Sequence, residues 1–307
     1  MSKKIVAPDR YCGRFAPTPS GPLHLGSLKT ATASWLQARR QDGVWLLRID
    51  DLDQARCPIG MDAVILRQLE ACGLTWDMSV WYQREHLASY RAARDALWDQ
   101  DQLFRCDCTR AALRARGIDG NQGSYDGHCL NHPPGDTALT ALRFRWRTGT
   151  LAFEDGAAGR QQTTAAALDG FVVWRRDGIP GYALCCAVDE AAMRITEVVR
   201  GDDLLHETFS QCAVMAALNL PRPRYQHLPV MLDDHGRKLS KQNHATPIGD
   251  SAAAAATAMT TVLRQLGLPP PSAVATAPPV EQLQWALSQS DPTVHRSGAS
   301  GAGADLA

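Results

Sequence analysis

The stretch PTPSGPLHLGS, residues 17–27, decides the fold predicted for this chain of 307 residues. An apolar run at residues 11–16 precedes it, and apolar residues at helical spacing follow it up to Arg40. The glycines let the backbone approach an anion, and the unpaired N–H groups at a helix start favour negative charge. We therefore predict a phosphate-binding turn between a strand and a helix.

A second informative stretch, KLSK at residues 238–241, lies far downstream. It holds two lysines, although only five of the 32 basic residues of the chain are lysines. Two compact ammonium groups on a loop suit the charge that builds on a leaving phosphate group. The alternative is a solvated surface loop, but the turn at residues 17–27 favours a functional role. Together the two stretches predict a site that holds one triphosphate from two sides.

Composition narrows the class of protein. The 32 basic residues balance 32 acidic residues, so any contact with RNA requires a local basic patch. Nine cysteines, an odd number in a chain without a signal-peptide pattern, favour a reducing cytoplasm over a disulfide framework. No apolar run approaches the roughly 20 residues that span a bilayer. We expect a cytoplasmic protein that has no membrane partner.

The alternation of strand-like and helix-like patterns predicts the fold class. Strand, helix and strand over residues 11–50 imply parallel pairing with a right-handed crossover. Helical patterns follow at residues 60–72 and 85–102. We predict an α/β fold of Rossmann type, a doubly wound parallel sheet whose ligands bind at the carboxyl ends of the strands.

Changes in composition divide the chain into predicted segments. Residues 104–140 lose the apolar periodicity and gain Cys, Gly, Asp, His and Pro, which indicates an insertion. Near the C-terminus an alanine-rich helical pattern gives way to a stretch rich in Gly and Ser. The two halves of a predicted catalytic domain are residues 1–103 and 141–245, and the insertion between them is residues 104–140. A helical segment at residues 246–270 and a largely flexible tail at residues 271–307 follow.

Three cysteines of the insertion, Cys106, Cys108 and Cys129, indicate a structural zinc site. Such a site has four ligands in a tetrahedron and can fix a segment that is too polar to form its own core. His128 and His132 are candidates for the fourth ligand. The alternative is a loop with free thiols, because C-x-C with one distant cysteine is only moderately specific.

Further motifs stand in an order known from one enzyme family. They are RFAPTPSG at 14–21, LRIDDLD at 47–53, Tyr182 before VDE at 188–190, ITEVVRGDD at 195–203 and YQHLP at 225–229. With KLSK after them, they resemble the class I aminoacyl-tRNA synthetases for glutamate and glutamine. The resemblance covers residues 11–245. It implies a class I catalytic fold with an inserted zinc-binding subdomain and a helical C-terminal part, and it implies ATP with Mg²⁺ as a substrate.

The resemblance also implies a role for each matching residue. The expected catalytic residues are His24, Lys238 and Lys241, and the expected ATP contacts are His24, Gly26, Ser27 and Lys241. The expected glutamate-binding residues are Arg14, Phe15, Ala16, Pro17, Thr18, Asp50, Tyr182 and Arg200. The expected zinc ligands are Cys106, Cys108, Tyr125 and Cys129, with His128 and His132 as rivals of Tyr125 for the fourth position.

For two of these residues the sequence leaves an alternative to the implied role. The family has a glutamic acid where this chain has Asp50, and the shorter side chain makes water-mediated contact with the substrate ammonium an alternative to direct contact. Arg200 precedes Asp202 and Asp203, so a structural ion pair is the alternative to a role in binding glutamate.

The short distance from KLSK to the C-terminus resembles one branch of the family, whose members lack an anticodon-binding region. These short members attach glutamate to the queuosine base in the anticodon of tRNA(Asp). The resemblance therefore implies activation of L-glutamate without tRNA, followed by transfer to the anticodon stem-loop of tRNA(Asp), by a monomer. The alternatives are a glutamyl-tRNA synthetase core that charges the tRNA 3′ end and a catalytically inactive, zinc-containing RNA-binding relative.

Overall fold

The computed structural model describes residues 10–118, 125–136, 139–147, 149–168, 170–232, 247–249 and 251–290. The predicted catalytic residues Lys238 and Lys241 lie outside these ranges, as does the last part of the predicted tail, residues 291–307. Among the described helices, none combines the length and the apolar character needed to cross a membrane.

The described strands and helices follow one another in a mixed α/β order. Their bounds along the chain are β1 (Cys12–Phe15), α1 (Leu25–Arg40), β2 (Val44–Ile49), α2 (Met61–Ala71), β3 (Trp81–Tyr82), α3 (Leu87–Asp99), β4 (Leu103–Cys106), α4 (Arg110–Ala115), α5 (His128–Asn131), β5 (Ala141–Phe144), β6 (Thr150–Asp155), β7 (Gly159–Thr164), α6 (Ala165–Leu168), β8 (Val172–Trp174), α7 (Tyr182–Ala192), β9 (Glu197–Gly201), α8 (Leu205–Ala217), β10 (Arg224–Leu228), α9 (Ala252–Gln265), α10 (Ser272–Ala275) and α11 (Pro279–Ser288).

Two groups of strands build the main sheet. Strands β1, β2 and β3 pair in parallel, and β10 pairs in parallel with β9 and with β6, while β7 runs antiparallel to β6. The groups meet where the Thr196 N–H, one residue before β9, donates to the Cys12 carbonyl oxygen at 2.9 Å. The spatial order is therefore β3-β2-β1-β9-β10-β6-β7. From β1 the chain continues to β2 on one side, and from β9 it continues to β10 on the other side. A ligand crevice is expected at this switch point between β1 and β9.

Burial of the central strands explains why they are apolar throughout. Val44 and Leu46 of β2 belong to one cluster of buried side chains, whereas Trp45 and Leu47 belong to another. Since successive side chains of a strand point to opposite faces, both faces of the sheet are covered. Helix α1 packs in the second cluster together with residues of α2, α9 and α11.

The inserted unit extends further along the chain than the sequence suggested. Strands β4, β5 and β8 form a separate antiparallel sheet, so β5 and β8 belong with the insertion rather than with the predicted catalytic half at 141–245. Between β5 and β8 the chain returns to the main sheet as β6. Neither β6 nor β7 was predicted, because β7 (GRQQTT) is a polar edge strand without the apolar alternation that marks a buried strand.

The C-terminal region also differs from the prediction of a flexible tail from residue 271. Helix α11 packs against α9 and α1, and it buries Leu283 and Ala286. The Thr260 hydroxyl, on α9, donates to the Gln282 side-chain oxygen at 2.9 Å. These contacts fix residues 272–288, because the burial of apolar side chains offsets the entropy of ordering the helix.

Candidate active site

A cleft of about 350 Å³ opens at the carboxyl ends of β1 and β9. Its position is the switch point of the sheet, where α/β folds bind their ligands. Most of the sequence-predicted residues meet on its walls, although they come from distant parts of the chain. They are Arg14, Phe15, Ala16, Pro17, Thr18, His24, Gly26, Ser27, Tyr182 and Arg200.

His24 is the N-cap of α1. Its backbone is extended (φ −120°), its Nδ1 accepts the Ser27 N–H at 3.3 Å, and its own N–H donates to the Ser27 hydroxyl at 2.9 Å. This reciprocal pair is a capping box in which a histidine replaces the common Ser or Thr. Because Nδ1 accepts, the neutral ring carries its proton on Nε2. The helix start therefore offers an N–H donor of the kind that binds phosphate oxygens.

Arg14 reaches the cleft from the buried strand β1. Its Nη2 lies 3.0 Å from Glu190 Oε1, and its Nη1 donates to the Val199 carbonyl oxygen at 3.2 Å. A buried guanidinium needs an anion, and Glu190 of α7 supplies one within the protein. Arg14 Nε and Glu190 Oε2 have no partner among the described residues. Unpaired polar atoms in a buried pair beside a cleft are suited to a polar ligand.

Glu190 was missed by the sequence analysis, where VDE served only as a marker of the family. A usable signal existed, because Glu190 falls in an apolar helical stretch, YALCCAVDEAA, in which a charge requires a partner.

Asp50 is not on the wall of the cleft. Its Oδ1 accepts from Arg48 Nε at 2.7 Å, and Arg48, which is fully buried, also lies 3.7 Å from Asp189 Oδ2. Asp189 in turn accepts from Gln83 and Tyr90 at 2.7 Å each. Burial raises the pKa of Asp50, and the Arg48 guanidinium opposes that rise. The short aspartate side chain is thus held behind the cleft wall by a partner that the sequence analysis did not identify.

Arg200, at the end of β9, is only 3% exposed and lines the cleft. Its hydrogen bonds go to neutral groups: His227 Nε2 at 3.0 Å, Gln211 Oε1 at 3.0 Å, Thr208 Oγ1 at 2.6 Å and the Leu204 carbonyl oxygen at 3.4 Å. Asp202, one of the two ion-pair partners considered from sequence, accepts the Val230 N–H at 3.1 Å. A buried cation surrounded by neutral acceptors retains its charge for an anionic ligand.

Tyr182 begins α7 and lies between two cavities. It is 39% exposed, and it lines both the 350 Å³ cleft and a larger cavity of about 960 Å³. Glycine at position 181 lets the start of α7 lie close to β8, because a Cβ on Gly181 would lie 2.4 Å from the Val172 carbonyl oxygen. Five arginines line the larger cavity: Arg110, Arg114, Arg143, Arg175 and Arg176.

The cysteines of the insertion come together as predicted. The sulfur atoms of Cys106, Cys108 and Cys129 lie within 4.8 Å of one another. The Tyr125 hydroxyl is 3.6 Å from Cys106 Sγ and 3.4 Å from Cys108 Sγ. Tetrahedral zinc–thiolate bonds of 2.3 Å separate two sulfurs by roughly 3.8 Å, so this donor set fits zinc.

The donor set also distinguishes the candidates for the fourth ligand. The rings of His128 and His132 stack on each other with centroids 4.9 Å apart, and neither belongs to the cysteine cluster. Gly170, at φ +81°, leaves room for Tyr125, because a Cβ at residue 170 would lie 2.3 Å from Tyr125 Cβ. The structure therefore brings Tyr125, and not a histidine, to the three thiols.

A cation adjoins the thiol cluster. Arg116 Nη2 donates to Cys108 Sγ at 3.2 Å. Burial alone would raise the pKa of the Cys108 thiol, but hydrogen bonds from Tyr125, Arg116 and the neighbouring cysteines lower it below its ordinary value. A thiol that ionises readily is a good metal ligand.

Both flanks of the lysine-bearing segment 233–246 adjoin the cleft. Pro247 forms an isolated antiparallel bridge with His24, and the Ile248 N–H donates to the Leu23 carbonyl oxygen at 2.9 Å. On the other flank, Val230 and Met231 line the cleft. The ammonium of Lys29, a cleft residue that the sequence analysis did not assign, donates to the Pro229 carbonyl oxygen at 2.8 Å. Burial lowers the pKa of Lys29.

The chain is similar in sequence to known proteins. Residues 12–276 match the family described as tRNA synthetases class I (E and Q), catalytic domain. The glutamyl-Q tRNA(Asp) synthetase of Methylococcus capsulatus is 43% identical over 285 residues, which cover 92% of this chain and 91% of that protein. The protein of the same name from Idiomarina loihiensis is 43% identical over 278 residues, covering 90% of this chain and 95% of that protein.

A solved structure shares the fold. Glutamate-tRNA synthetase from Elizabethkingia anophelis superposes with a TM-score of 0.75 at 22% identity over 90% of this chain. This chain spans 65% of the length of that structure. The predicted α/β fold class is confirmed by this superposition.

Proposed function

The chain belongs to the catalytic-domain family of the class I tRNA synthetases (E and Q), and we propose that it activates L-glutamate with ATP and transfers the glutamyl group to the queuosine base in the anticodon of tRNA(Asp). Membership of the family makes it a ligase of the aminoacyl-tRNA synthetase type. The reaction acts on glutamate and tRNA. The choice of queuosine follows the names of the similar proteins from Methylococcus capsulatus and Idiomarina loihiensis.

One observation carries the first half of this proposal. The cap of α1 and the buried guanidinium groups of Arg14 and Arg200 line the same cleft. A triphosphate needs N–H donors at a helix start, and an amino acid with two carboxylates needs fixed cations nearby. A single cleft of about 350 Å³ that supplies both is suited to joining the two substrates.

Activation brings an oxygen of the glutamate α-carboxylate to the α-phosphorus of ATP. A P–O bond forms, the bond to the bridging oxygen of the β-phosphate breaks, and pyrophosphate leaves with the electron pair. His24 and the N–H groups at the start of α1 neutralise phosphate oxygens, and Mg²⁺ accompanies ATP. Arg14 and Arg200 hold the two carboxylates of glutamate, and Tyr182 closes the wall beside them. The protein contributes mainly orientation and neutralisation.

Lys238 and Lys241 are proposed to stabilise the charge on the leaving pyrophosphate. Support comes from both flanks of their segment, since Met231 lines the cleft and Pro247 bridges to His24. Substituting Lys241→Ala is expected to lower the rate of adenylate formation by about a hundredfold, as does removal of one preorganised donor in other enzymes.

Transfer requires a nucleoside hydroxyl to reach the glutamyl carbonyl, with AMP as the leaving group. We place the RNA in the 960 Å³ cavity, because Tyr182 forms part of both its wall and the wall of the glutamate cleft. Five arginines on the cavity wall supply the local basic patch that a chain of zero net charge needs for binding RNA. Phe171 and His206 add flat side chains on which bases can stack.

Zinc is proposed as a structural ion held by Cys106, Cys108, Cys129 and Tyr125. When bound, it would fix one wall of the RNA cavity, because Cys108 and Tyr125 also line that cavity. Metal analysis of protein purified without chelators is expected to give about one zinc per chain.

Exchange of radioactive pyrophosphate into ATP tests the activation step. We expect exchange that depends on glutamate and proceeds without tRNA. Loss of exchange on omission of tRNA would favour the glutamyl-tRNA synthetase alternative, and no exchange under any condition would favour the inactive RNA-binding relative.

Mass spectrometry of nucleosides tests the transfer step. Transfer RNA incubated with enzyme, ATP and glutamate should yield a queuosine nucleoside heavier by one glutamyl group. Unmodified tRNA(Asp), which lacks queuosine, serves as the control and should yield no product. Glutamate found on the 3′-terminal adenosine would instead identify an enzyme that charges the tRNA end.

A further inference from the structure

A buried chain of hydrogen bonds leads from Arg200 into the main sheet. Arg200 Nε donates to His227 Nε2 at 3.0 Å, and His227 Nδ1 lies 2.5 Å from Asp155 Oδ2. The side chains of Asp155 and His227 are completely buried. Neither Asp155 nor His227 lines the cleft, so among the described residues these hydrogen bonds connect to the cleft through Arg200.

The geometry defines the tautomer of His227. An arginine nitrogen can only donate, so His227 Nε2 must accept and must therefore lack a proton. The proton of the neutral ring then lies on Nδ1, where it is donated to the Asp155 carboxylate. Any second proton, on Nε2, would face a guanidinium N–H and a positive charge. Asp155 thus selects the form of His227 that can hold Arg200.

Asp155 is itself fixed from several sides. Its Oδ1 accepts the N–H groups of Ala157 at 2.9 Å, Ala158 at 2.8 Å and His227 at 3.2 Å. Burial would raise the pKa of Asp155, but these hydrogen bonds and that from the His227 ring hold it below its ordinary value. Strands β6 and β10 are paired neighbours, so the sheet delivers both residues to the same point.

The remaining contacts of Arg200 leave little freedom. A guanidinium has five N–H donors. In the described residues Nε donates to His227, Nη1 to Gln211, and Nη2 to Thr208 and Leu204, which uses four of them. Nη1 keeps one N–H, together with the positive charge, for a ligand in the cleft. Rotation of Arg200 out of this arrangement would break all four bonds.

We propose that Asp155 and His227 are positioning residues that orient Arg200 for a carboxylate of the amino-acid substrate. This inference rests on the proposed function, in which Arg200 binds glutamate. The principle resembles that of an aspartate that holds a histidine tautomer in a catalytic triad, but here the histidine accepts from an arginine and does not exchange a proton with substrate.

The substitution Asp155→Asn provides the sharpest test. The asparagine oxygen can still accept the backbone N–H groups, while its NH₂ group faces His227 Nδ1 and forces the proton onto Nε2. His227 Nε2–H could then donate to the Thr208 hydroxyl at 3.0 Å, and Arg200 Nε–H would lose its acceptor. We expect the KM for glutamate in pyrophosphate exchange to rise by about tenfold to a hundredfold. The KM for ATP should change by less than about twofold, because the start of α1 is untouched.

The matched control is Glu154→Gln on the same strand. The Glu154 side chain is 71% exposed and, within the part of the chain that the structure describes, bonds only to Arg160, so both KM values should be unchanged. A second variant, His227→Gln, can keep an acceptor toward Arg200 and a donor toward Asp155, and it should retain a lower KM for glutamate than His227→Phe. An unchanged KM for glutamate in Asp155→Asn would overturn the proposal, and so would equal KM values in the two His227 variants.

Nitrogen-15 NMR of the His227 imidazole tests the hydrogen-bond chain in the unsubstituted protein. In the wild-type protein at neutral pH, His227 should show the neutral Nδ1–H tautomer, and a neutral Nε2–H tautomer or a doubly protonated ring would overturn the proposal. This readout separates two failures. If the wild type shows no glutamate-dependent exchange, the proposed function fails, whereas an active wild type with the other tautomer defeats only the positioning role.

Discussion

Arg14 and Glu190 lie 176 positions apart in the chain and meet as a buried ion pair with Nη2 and Oε1 3.0 Å apart. The pair joins β1 to α7, and both elements contribute residues to the lining of the cleft. Because Arg14 also faces the cleft, the same guanidinium stabilises the fold and presents positive charge to a ligand. Replacing Glu190 therefore tests how much this ion pair contributes to the stability of the fold.

Glu190→Ala is expected to lower the free energy of unfolding by about 3 to 5 kcal/mol, since it leaves a buried guanidinium without a counter-charge. Urea denaturation followed by circular dichroism measures this change. The control Glu154→Ala removes an exposed carboxylate and should cost less than about 0.5 kcal/mol. Equal effects of the two substitutions would show that the buried pair contributes no special stability.

The role of His24 as N-cap can be separated from its proposed role as a donor to phosphate. Asparagine is a good N-cap, so His24→Asn should leave the melting temperature close to that of the wild type. The same change removes the imidazole and should lower the rate of pyrophosphate exchange by about a hundredfold. His24→Ala should lose both the rate and about 1 kcal/mol of stability. Full exchange activity in His24→Asn would limit His24 to capping.

Tyr125 is expected to complete the zinc site. Tyr125→Phe keeps the ring packed against Gly170 and Phe104 but removes the oxygen, so affinity for zinc should fall by about tenfold or more. His128→Ala and His132→Ala should leave the affinity unchanged. Competition with a chromophoric chelator gives the three affinities. A loss confined to one of the histidine variants would assign the fourth position to that histidine.

The hydrogen bonds of Asp155 predict how its contribution to stability depends on pH. Its folded pKa is depressed below the ordinary value of 3.8, so the unfolded state binds the proton more tightly. The stabilisation is therefore complete above the ordinary pKa and is lost as pH falls through the folded pKa. The difference in unfolding free energy between wild type and Asp155→Asn should stay constant from about pH 7 to about pH 5 and shrink below about pH 4. Urea titrations at a series of pH values measure it, and a decline that begins near neutrality would contradict the assignment.

We expect the exposed arginines of α4 to contribute to the binding of RNA and not to the activation of glutamate. Replacing both Arg110 and Arg114 by alanine should lower the rate of glutamyl transfer to tRNA by about tenfold and reduce its salt dependence. Pyrophosphate exchange without tRNA should be unchanged. The matched control replaces Arg67 and Arg91, which are exposed on α2 and α3 and lie outside the cavity wall. Equal losses of transfer in both double variants would point to a nonspecific effect of charge.

The sequence was most informative where structure is local. The strand, Pro/Gly turn and helix at residues 12–40 follow from apolar spacing and turn residues that act within a few positions of one another. Helices α2, α3 and α9 were anticipated for the same reason. The C-x-C spacing likewise indicated the thiol cluster, because two of its three sulfurs are neighbours in the chain.

Pairings between distant segments could not be predicted in this way. Strands β6, β7 and β10 have short or polar sequences, and β8 joins the inserted sheet instead of the main one, since strand pairing depends on contacts far apart in the chain. The predicted flexible tail from residue 271 was too long for a similar reason. Its helix α11 is stabilised by Leu283 and Ala286 packing in a cluster that includes residues of α1 and α9.

The sequence by itself determined the class of fold, the turn between β1 and α1 and the residue types of the proposed site for glutamate and ATP, because apolar spacing and side-chain chemistry are local properties of the chain. Only the tertiary structure decided the partners: Glu190 for Arg14, Arg48 for Asp50, and the Asp155–His227 chain for Arg200. The physical reason is that a buried charge needs a counter-charge or hydrogen bonds within about 3 Å, and the packing of distant elements determines which groups come that close.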